Sequence, residues 1–265
     1  MPETNIISFY EQHLTEVRPS TNGWFIARCP FHNDRNPSFA FHGRSGNWKC
    51  LADCGHGSLK DFCERMDIDL PTIETVYPYY DELGELVYEA VRRYPRRFIM
   101  RRSNGRGGYI NNIQGVQLYL YNLRAVLEND TVFICEGEKD CDTLTALDLA
   151  ATTNPMGSGK WQEGFNQCFT GKEVIILPDN DLPGLKHAEN VAKNLYPVAQ
   201  SVKIVLLPNL PDKGDVTDWL EQGHSKEELL SIVAETGLWN PANAVFQGSQ
   251  MALIPLSVLL QEADE

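Results

Sequence analysis

Two carboxylates follow a short apolar run near the middle of the chain. Residues 174–177 read Val-Ile-Ile-Leu, and Asp179 and Asp181 come directly after them, separated by one residue. A run of that length, rich in β-branched residues, predicts a buried strand. The strand would deliver both carboxylates together at its carboxyl end. Because oxygen ligands favour hard cations, the pair predicts a Mg²⁺ or Mn²⁺ site.

Further acids follow the strands predicted on either side. Glu136 ends the run TVFICE with Asp140 close behind, and Asp215 follows the run SVKIVLLP. In an open parallel sheet, functional groups gather at the carboxyl ends of strands. Carboxylates in one crevice repel one another unless cations neutralise them, so this arrangement indicates two-metal phosphoryl transfer. The alternative for a single acid is a position at the N-cap or in the first turn of a helix, which is equally plausible for Glu138 and Asp218.

A glycine-rich loop, MGSGKW at 156–161, lies between two of these strands. It lacks the first glycine and the final Ser or Thr of a phosphate-binding P-loop. We therefore interpret it as a tight turn beside the site. Its Lys160, together with Lys139 of the run EGEKD, is a candidate for binding nucleotide phosphates.

Three cysteines and a histidine show metal-ligand spacing near the N-terminus. The pattern is Cys29-x2-His32-x17-Cys50-x3-Cys54, two pairs separated by a predicted hairpin over 37–50. Sulfur and imidazole ligands in a set of four suit tetrahedral Zn²⁺. The second pair is wider than C-x2-C, so His56 remains an alternative to Cys54. We expect little core in this segment, so that zinc would supply much of its folding free energy.

The elements that position these residues divide the 265-residue chain into four segments. We expect a zinc-binding domain over 1–66 and a strand-rich meander over 73–128, with strands at 75–80, 85–94 and 97–102. Strands then alternate with helices over 129–238, which predicts a parallel sheet with helices on both faces. Residues 239–265 begin like a linker.

Composition bounds the class of protein and its partners. The chain carries a net charge of −13, which alone argues against nucleic acid. However, residues 92–106 hold seven of the 23 basic residues and no acid. No apolar run is long enough to span a bilayer and no signal peptide is evident, so we expect a cytoplasmic protein without membrane partners. The residues expected to track nucleic-acid phosphates are Arg92, Arg93, Arg96, Arg97, Arg101 and Arg102.

The acidic runs VFICEGEKD, IILPDNDLPGLKHAENVA and KGDVTDWL resemble the Toprim domain, which primases, topoisomerases and some nucleases share. The runs CPFHNDRNPSFAF and WKCLADCG resemble the zinc-binding domain of DnaG-like primases. Together, in this order, they are similar to the primases of phages and mobile elements, over roughly residues 20–222. The resemblance implies an acid/base or metal role for Glu136, metal binding by Asp179 and Asp181, and further metal-region positions at Asp140 and Asp215, with Asp218 as the alternative to Asp215.

The resemblance implies a function as well as a fold. We expect synthesis of short RNA primers on a single-stranded DNA template, with Glu136, Asp179 and Asp181 catalytic and with Zn²⁺ and Mg²⁺ or Mn²⁺ as cofactors. Nucleoside triphosphates and a replicative helicase, fused or separate, are the expected partners. The C-terminal run LIPLSVLLQEADE is expected to be the entry to a helicase domain. A Toprim-type nuclease, or a non-catalytic zinc module that binds single strands and recruits a helicase, are the alternatives.

Overall fold

A computed structural model describes residues 5–21, 23–94 and 97–243. The chain separates into two compact units, one formed by residues up to 117 with 220–223, the other by 118–219 with the residues from 224 onward. Residues 244–265, which include most of the expected linker and the helicase-like entry, lie outside the described residues. The expected division into four segments stays a prediction.

The first unit begins with a small antiparallel sheet. Its strands occur in the order β1-β2-β3-β4-β5, and the predicted hairpin is confirmed as β3 and β4, with Phe39 opposite Cys50. Two helices accompany it. The bounds are α1 Ile6–His13, β1 Arg18–Pro19, β2 Trp24–Ala27, β3 Phe39–His42, β4 Trp48–Cys50, β5 His56–Gly57 and α2 Leu59–Met66.

An aromatic core lies between this sheet and its helices, contrary to the expectation of little core. Tyr10 of α1 is fully buried, and its ring stacks on Phe41 of β3 with 4.2 Å between centroids. The Tyr10 hydroxyl donates to the carbonyl of Gly46, 2.8 Å away. Phe62 of α2 packs on both Phe39 and Tyr10, with ring centroids 5.6 Å and 4.8 Å away. Part of this core, namely Ile6, Phe9 and Tyr10, comes from α1, a helix that the sequence did not predict.

The meander of the first unit has the strand order β6-β7-β8-β9, all antiparallel. Cross-strand neighbours include Glu74 with Arg93, Glu89 with Arg101, and Arg92 with Phe98. The three predicted strands are therefore confirmed. The bounds are β6 Ile73–Tyr80, β7 Leu86–Tyr94, β8 Arg97–Ser103 and β9 Tyr109–Ile110.

The second unit alternates strands with helices, as predicted. Its four strands are all parallel, in the order β11-β10-β12-β13. A 3₁₀ helix over Glu163–Phe169 connects β11 to β12, and another covers Pro241–Asn243. The remaining bounds are α3 Leu123–Glu128, β10 Thr131–Ile134, α4 Glu138–Thr145, β11 Ala151–Thr152, β12 Glu173–Ile176, α5 Leu182–Leu195, β13 Ser201–Ile204, α6 Val216–Glu221 and α7 Lys226–Glu235.

Both faces of the parallel sheet are covered. On one face, Val132 and Val174 join a buried cluster with the apolar side of α5, including Val191. On the opposite face Ile175 is also buried, and Lys203 of β13 donates to the carbonyl of Val233 in α7, 2.6 Å away. Strands buried on both faces are expected to read as continuous apolar runs, as these do. The predicted fold class, a parallel α/β sheet after a small β domain and a basic meander, is confirmed.

The connections define where this sheet can bind a ligand. From β10 the chain passes through α4 to β11 on one side, and from β12 it passes through α5 to β13 on the other. Adjacent strands whose connections diverge form a topological switch point, and ligands bind at its carboxyl edge. Within the described ranges the longest helix has 14 residues, and no helix there is long and apolar enough to cross a membrane.

Candidate functional site

Glu136 and Asp179 meet at the switch point. They follow β10 and β12, which pair from Thr131 with Glu173 to Ile134 with Ile176. The Asp179 N–H donates to Oε1 of Glu136 across 3.3 Å. The two strands thus carry these carboxylates to one point of the edge, as the sequence predicted.

Gly184 closes this corner of the site. A Cβ at this position would lie 2.6 Å from the carbonyl oxygen of Asp179 and would collide with the carboxylate of Glu136. Contacts under 3.0 Å between such atoms do not occur in folded proteins without a shift of the backbone. The glycine therefore lets α5 start close against the two carboxylates.

Asp181 lies both beyond the carboxyl end of β12 and at the start of helix α5. It is the N-cap of α5, where its Oδ1 accepts from the Gly184 N–H at 2.8 Å. Capping by Asp also places a negative charge at the positive end of the helix dipole. One of its two oxygens is thus engaged in the cap, and the second remains for a cation.

Asp140 and Asp215 are joined by a lysine. Lys139 forms ion pairs with Oδ2 of Asp215 and, at 3.3 Å, with Oδ1 of Asp140. Thr217 donates to the same oxygen of Asp140 at 2.6 Å. Asp215 and Asp218 accept from each other's backbone N–H, which caps α6. Asp218 and Glu138 each lie in the first turn of a helix, α6 and α4 respectively, as the alternative for these two acids expected, and Glu138 is also buried.

The electrostatics of the edge fit a bound cation. Burial, reinforced by the charges of Glu136, Asp140 and Asp215, raises the pKa of Asp179 to about 8. Burial also raises the pKa of Glu136, and it raises that of Asp140 to about 6 despite Lys139. Carboxylates that repel each other in this way are stabilised in the charged form by a divalent ion. Glu136, Asp179 and Asp181 would hold a Mg²⁺ or Mn²⁺ ion here.

The glycine-rich loop lies against the same corner. Thr153 Oγ1 donates to the carbonyl of Glu136 at 3.1 Å, and Ser158 Oγ lies 3.4 Å from the carbonyl of Pro183 at the start of α5. Lys160 is exposed. The loop is fixed by a contact that the sequence did not predict, since buried His187 accepts from the Gly159 N–H and lies 3.0 Å from Asn154 Oδ1.

The four predicted zinc ligands come together. Ligand atoms of Cys29, His32, Cys50 and Cys54 all lie within 4.8 Å of one another, and in the described part of the chain this is the one group of three or more Cys, His, Asp or Glu that does so. His56 is not in the group. His32 Nδ1 faces the centre, 3.1 Å from Cys54 Sγ and 3.9 Å from Cys50 Sγ. Three sulfurs and one imidazole fit Zn²⁺.

Asp34 supports the zinc ligands from outside the group. Its Oδ2 accepts from the Cys29 N–H at 2.7 Å and from the Ser38 hydroxyl at 2.8 Å, and its Oδ1 lies 3.6 Å from His32 Nε2. Burial raises the pKa of the Cys29 thiol to about 12, so a metal ion is needed to hold the thiolate at neutral pH. The only sequence signal for Asp34 was an acid two residues beyond a candidate histidine ligand.

The arginine-rich stretch is partly neutralised by acids on neighbouring strands. Arg93 pairs with Glu74 at 2.5 Å, and Arg101 pairs with Glu89 at 2.6 Å. Arg92 is exposed, and its guanidinium carbon lies 5.7 Å from the ring centroid of Phe98, which is also exposed. Arg102 is half-buried, Arg96 lies outside the described residues, and the side chain of Arg97 is not described. The absence of acids within 92–106 thus overstated the local charge.

Comparison with known proteins agrees with this geometry. Residues 2–75 match the family model of the CHC2 zinc finger of the DnaG type. The chain resembles DnaG-like primases. It is 28% identical to the DNA primase of Salmonella typhimurium over 116 residues, 40% of this chain and 19% of that protein. It is 29% identical to the gene 57 protein of Mycobacterium phage D29, over 50% of this chain and 82% of that protein.

A solved structure shares the fold. A chain in the structure of bacteriophage T7 lagging-strand DNA polymerase interacting with primase domains of two gp4 subunits, bound to an RNA/DNA hybrid and dTTP, superposes with a TM-score of 0.50 at 20% identity. The match covers 68% of this chain and 88% of that one. The CHC2 zinc finger and the predicted resemblance to DnaG-like primases are confirmed. The chain spans about a fifth of the Salmonella primase that it matches.

Proposed function

We propose that this chain is a DNA primase that makes short RNA primers on single-stranded DNA by metal-dependent nucleotidyl transfer. The observation that carries the proposal is the meeting of Glu136 and Asp179 at the switch point of a parallel sheet, in a chain that also has a CHC2 zinc finger. The similarity to the Salmonella primase over 40% of this chain supports it.

The residues at the sheet edge have distinct parts in this reaction. Asp179 and Asp181 bind the divalent ion, with Glu136 beside them as a further ligand or a proton acceptor. The bound ion would lower the pKa of the attacking 3′-hydroxyl and stabilise the pyrophosphate that leaves. Lys160 would bind triphosphate oxygens from the glycine loop. Because β10 and β12 fix the spacing of the carboxylates, little reorganisation is needed when substrates bind.

The zinc finger and the meander would bind the single-stranded template. Zn²⁺ held by Cys29, His32, Cys50 and Cys54 would order the module that contacts the single strand. The pair Arg92 and Phe98 offers a cation for phosphate and a ring for base stacking. A replicative helicase, fused or separate, would supply the single-stranded template, and the reaction would take place in the cytoplasm.

The test is primer synthesis by the Asp179→Asn variant. Wild-type protein incubated with single-stranded DNA, labelled ribonucleotides and Mg²⁺ or Mn²⁺ should give short labelled products. Loss of a metal ligand removes several kcal/mol of transition-state stabilisation, so the variant should lose about a hundredfold or more of this activity. Its affinity for single-stranded DNA, measured by fluorescence anisotropy, should be unchanged.

The control is Asp212→Asn, which removes an exposed acid in a nearby loop and should leave synthesis unchanged. Undiminished synthesis by Asp179→Asn would contradict the metal assignment. Shortened DNA instead of new primers would identify a Toprim-type nuclease. Binding without either reaction, in the wild-type protein, would identify a non-catalytic module.

A further inference from the structure

The acidic edge of the parallel sheet has two parts that differ in how their charge is balanced. Asp140 and Asp215 both form ion pairs with Lys139. Within the described part of the chain, Glu136, Asp179 and Asp181 form no ion pair with a basic side chain. The charge of Asp140 and Asp215 is thus partly balanced by the ammonium group of Lys139, whereas no such basic group pairs with the other three carboxylates in the described residues.

Lys139 is held in place from several sides. Asp140 is only 5% exposed, and Thr217 donates to the carboxylate oxygen that Lys139 also contacts. Asp215 is fixed by the Asp218 N–H, which donates to its Oδ1 at 2.8 Å. The Thr143 hydroxyl donates to the backbone carbonyl of Lys139 at 3.0 Å, one turn along α4. The ammonium group therefore bridges α4 and the start of α6.

A divalent ion and this ammonium group cannot share the same carboxylates. Enzymes that transfer phosphoryl groups with two metals place the ions about 3.5–4 Å apart, between neighbouring acidic ligands. A lysine ammonium group already in contact with Asp140 and Asp215 repels a second ion at those two carboxylates. Mg²⁺ also loses its water shell reluctantly, so it competes poorly for carboxylates that are paired and buried.

We propose that Lys139 replaces one of two divalent ions, so that the edge binds a single Mg²⁺ or Mn²⁺ through Glu136, Asp179 and Asp181. The inference rests on the proposed metal site and specifies its stoichiometry. Asp140 and Asp215 then serve as positioning residues for Lys139 and do not ligate the metal. Lys139 supplies a fixed positive charge next to the ion.

The test counts Mn²⁺ ions bound to the zinc-loaded full chain, by electron paramagnetic resonance and isothermal titration calorimetry. Wild-type protein should bind one ion at the edge, and Lys139→Met should bind a second one. Lys186→Met removes an exposed charge from α5 and should bind one ion, like the wild type. Two ions of similar affinity in the wild-type protein, or one in Lys139→Met, would overturn the inference.

Two further variants decide the question if Lys139→Met does not fold. Asp179→Asn should weaken Mn²⁺ binding about tenfold or more, because it removes a ligand. Asp215→Asn, whose amide oxygen can still cap α6, should keep wild-type affinity. If Asp215→Asn weakens binding as much as Asp179→Asn, the inference is wrong while the metal site stands. If Asp179→Asn binds Mn²⁺ like wild type, the proposed metal site itself fails.

Discussion

At the scale of single residues, the candidate zinc site and the proposed divalent-metal site differ in how their residues are positioned. The carboxylates at the sheet edge are positioned by the ends of strands. The zinc ligand His32 is positioned by another side chain, Asp34, which also binds the backbone N–H of Cys29. A carboxylate beside the non-ligating nitrogen of a metal-bound histidine fixes its tautomer and raises its basicity.

Asp34→Asn should therefore weaken zinc binding. The amide has one acceptor oxygen, so it cannot face both the Cys29 N–H and His32 Nε2, and its NH₂ group would oppose one of these donors. We expect about a tenfold faster transfer of zinc to a chromogenic chelator.

The variant His56→Gln provides the matched control, because His56 lies outside the ligand group and should retain zinc like the wild type. Cys50→Ser should lose about one zinc per chain. Wild-type zinc retention in Asp34→Asn would show that the carboxylate does not support His32.

At the scale of elements, helix α5 links the metal edge to the glycine loop. Its N-cap is Asp181, and two turns later His187 holds the loop through Gly159 and Asn154. Burial lowers the pKa of His187 to about 4, so the folded protein keeps the neutral ring that accepts from Gly159. In the unfolded chain the histidine returns to its ordinary pKa of about 6.5.

This difference predicts how stability depends on pH. The unfolded chain binds a proton at His187 below pH 6.5 and the folded protein only near pH 4, so this contribution is complete above pH 6.5 and is lost as the pH falls towards 4. The loss amounts to about 3 kcal/mol in the free energy of unfolding. His187→Gln should show a smaller decrease than the wild type between pH 7 and 4.5, by urea titration.

The pKa values of Asp140 and Asp179 are raised in the folded protein, so these two groups increase the free energy of unfolding as the pH falls over part of this range. Both carboxyl groups are present in the wild type and in His187→Gln, so their contribution cancels when the two proteins are compared. His13→Gln, on α1 of the other unit, is the control and should keep the wild-type dependence. Equal decreases in wild type and His187→Gln would mean that His187 titrates normally in the fold.

The elements around the acids could be predicted because apolar runs such as residues 174–177 specify buried strands wherever they occur. The helices α1 and α3 were missed. The six residues of α3 have no helical stability of their own, and they fold because Leu123 and Val126 pack into the core. Such packing is a tertiary effect that a local pattern does not contain.

The same limit applies within the site. Sequence order placed Glu136 and Asp179 at the ends of neighbouring strands, and the structure agrees. The sequence did not predict the ion pair between Lys139 and Asp215. The two residues lie 76 positions apart and meet only through the packing of α4 beside α6. The partners of the arginines, Glu74 and Glu89, likewise lie outside the basic stretch and become neighbours only through strand pairing.

At the scale of the whole molecule, each unit has a core of its own, and the first unit also holds the four candidate zinc ligands. The aromatic residues Tyr10, Phe39 and Phe62 share one buried core with the candidate zinc ligands Cys29 and Cys50. Zinc binding to such modules nevertheless contributes about 10–16 kcal/mol, more than a core of this size supplies. We therefore expect the metal to decide the stability of the small sheet.

Removal of zinc should loosen the first unit and leave the second intact. With a chelator present, amide hydrogen exchange over residues 24–57 should become about ten times faster or more, whereas β10 and β12 should exchange as before. Mass spectrometry of peptic fragments measures both regions in one sample. Unchanged exchange in 24–57 would mean that the aromatic core alone maintains the sheet.

The capping bond between Asp181 and Gly184 gives the protein a spectroscopic reporter. The Gly184 amide donates to the carboxylate that is proposed to bind the divalent ion. Any ion that withdraws electron density from Asp181 lengthens this bond and changes the shielding of the amide proton. Glycine amides occupy a sparsely populated region of a nitrogen–proton correlation spectrum. One resonance, followed during a Mg²⁺ titration, would therefore report the occupancy of the metal site directly, in the absence of nucleotide, template or turnover.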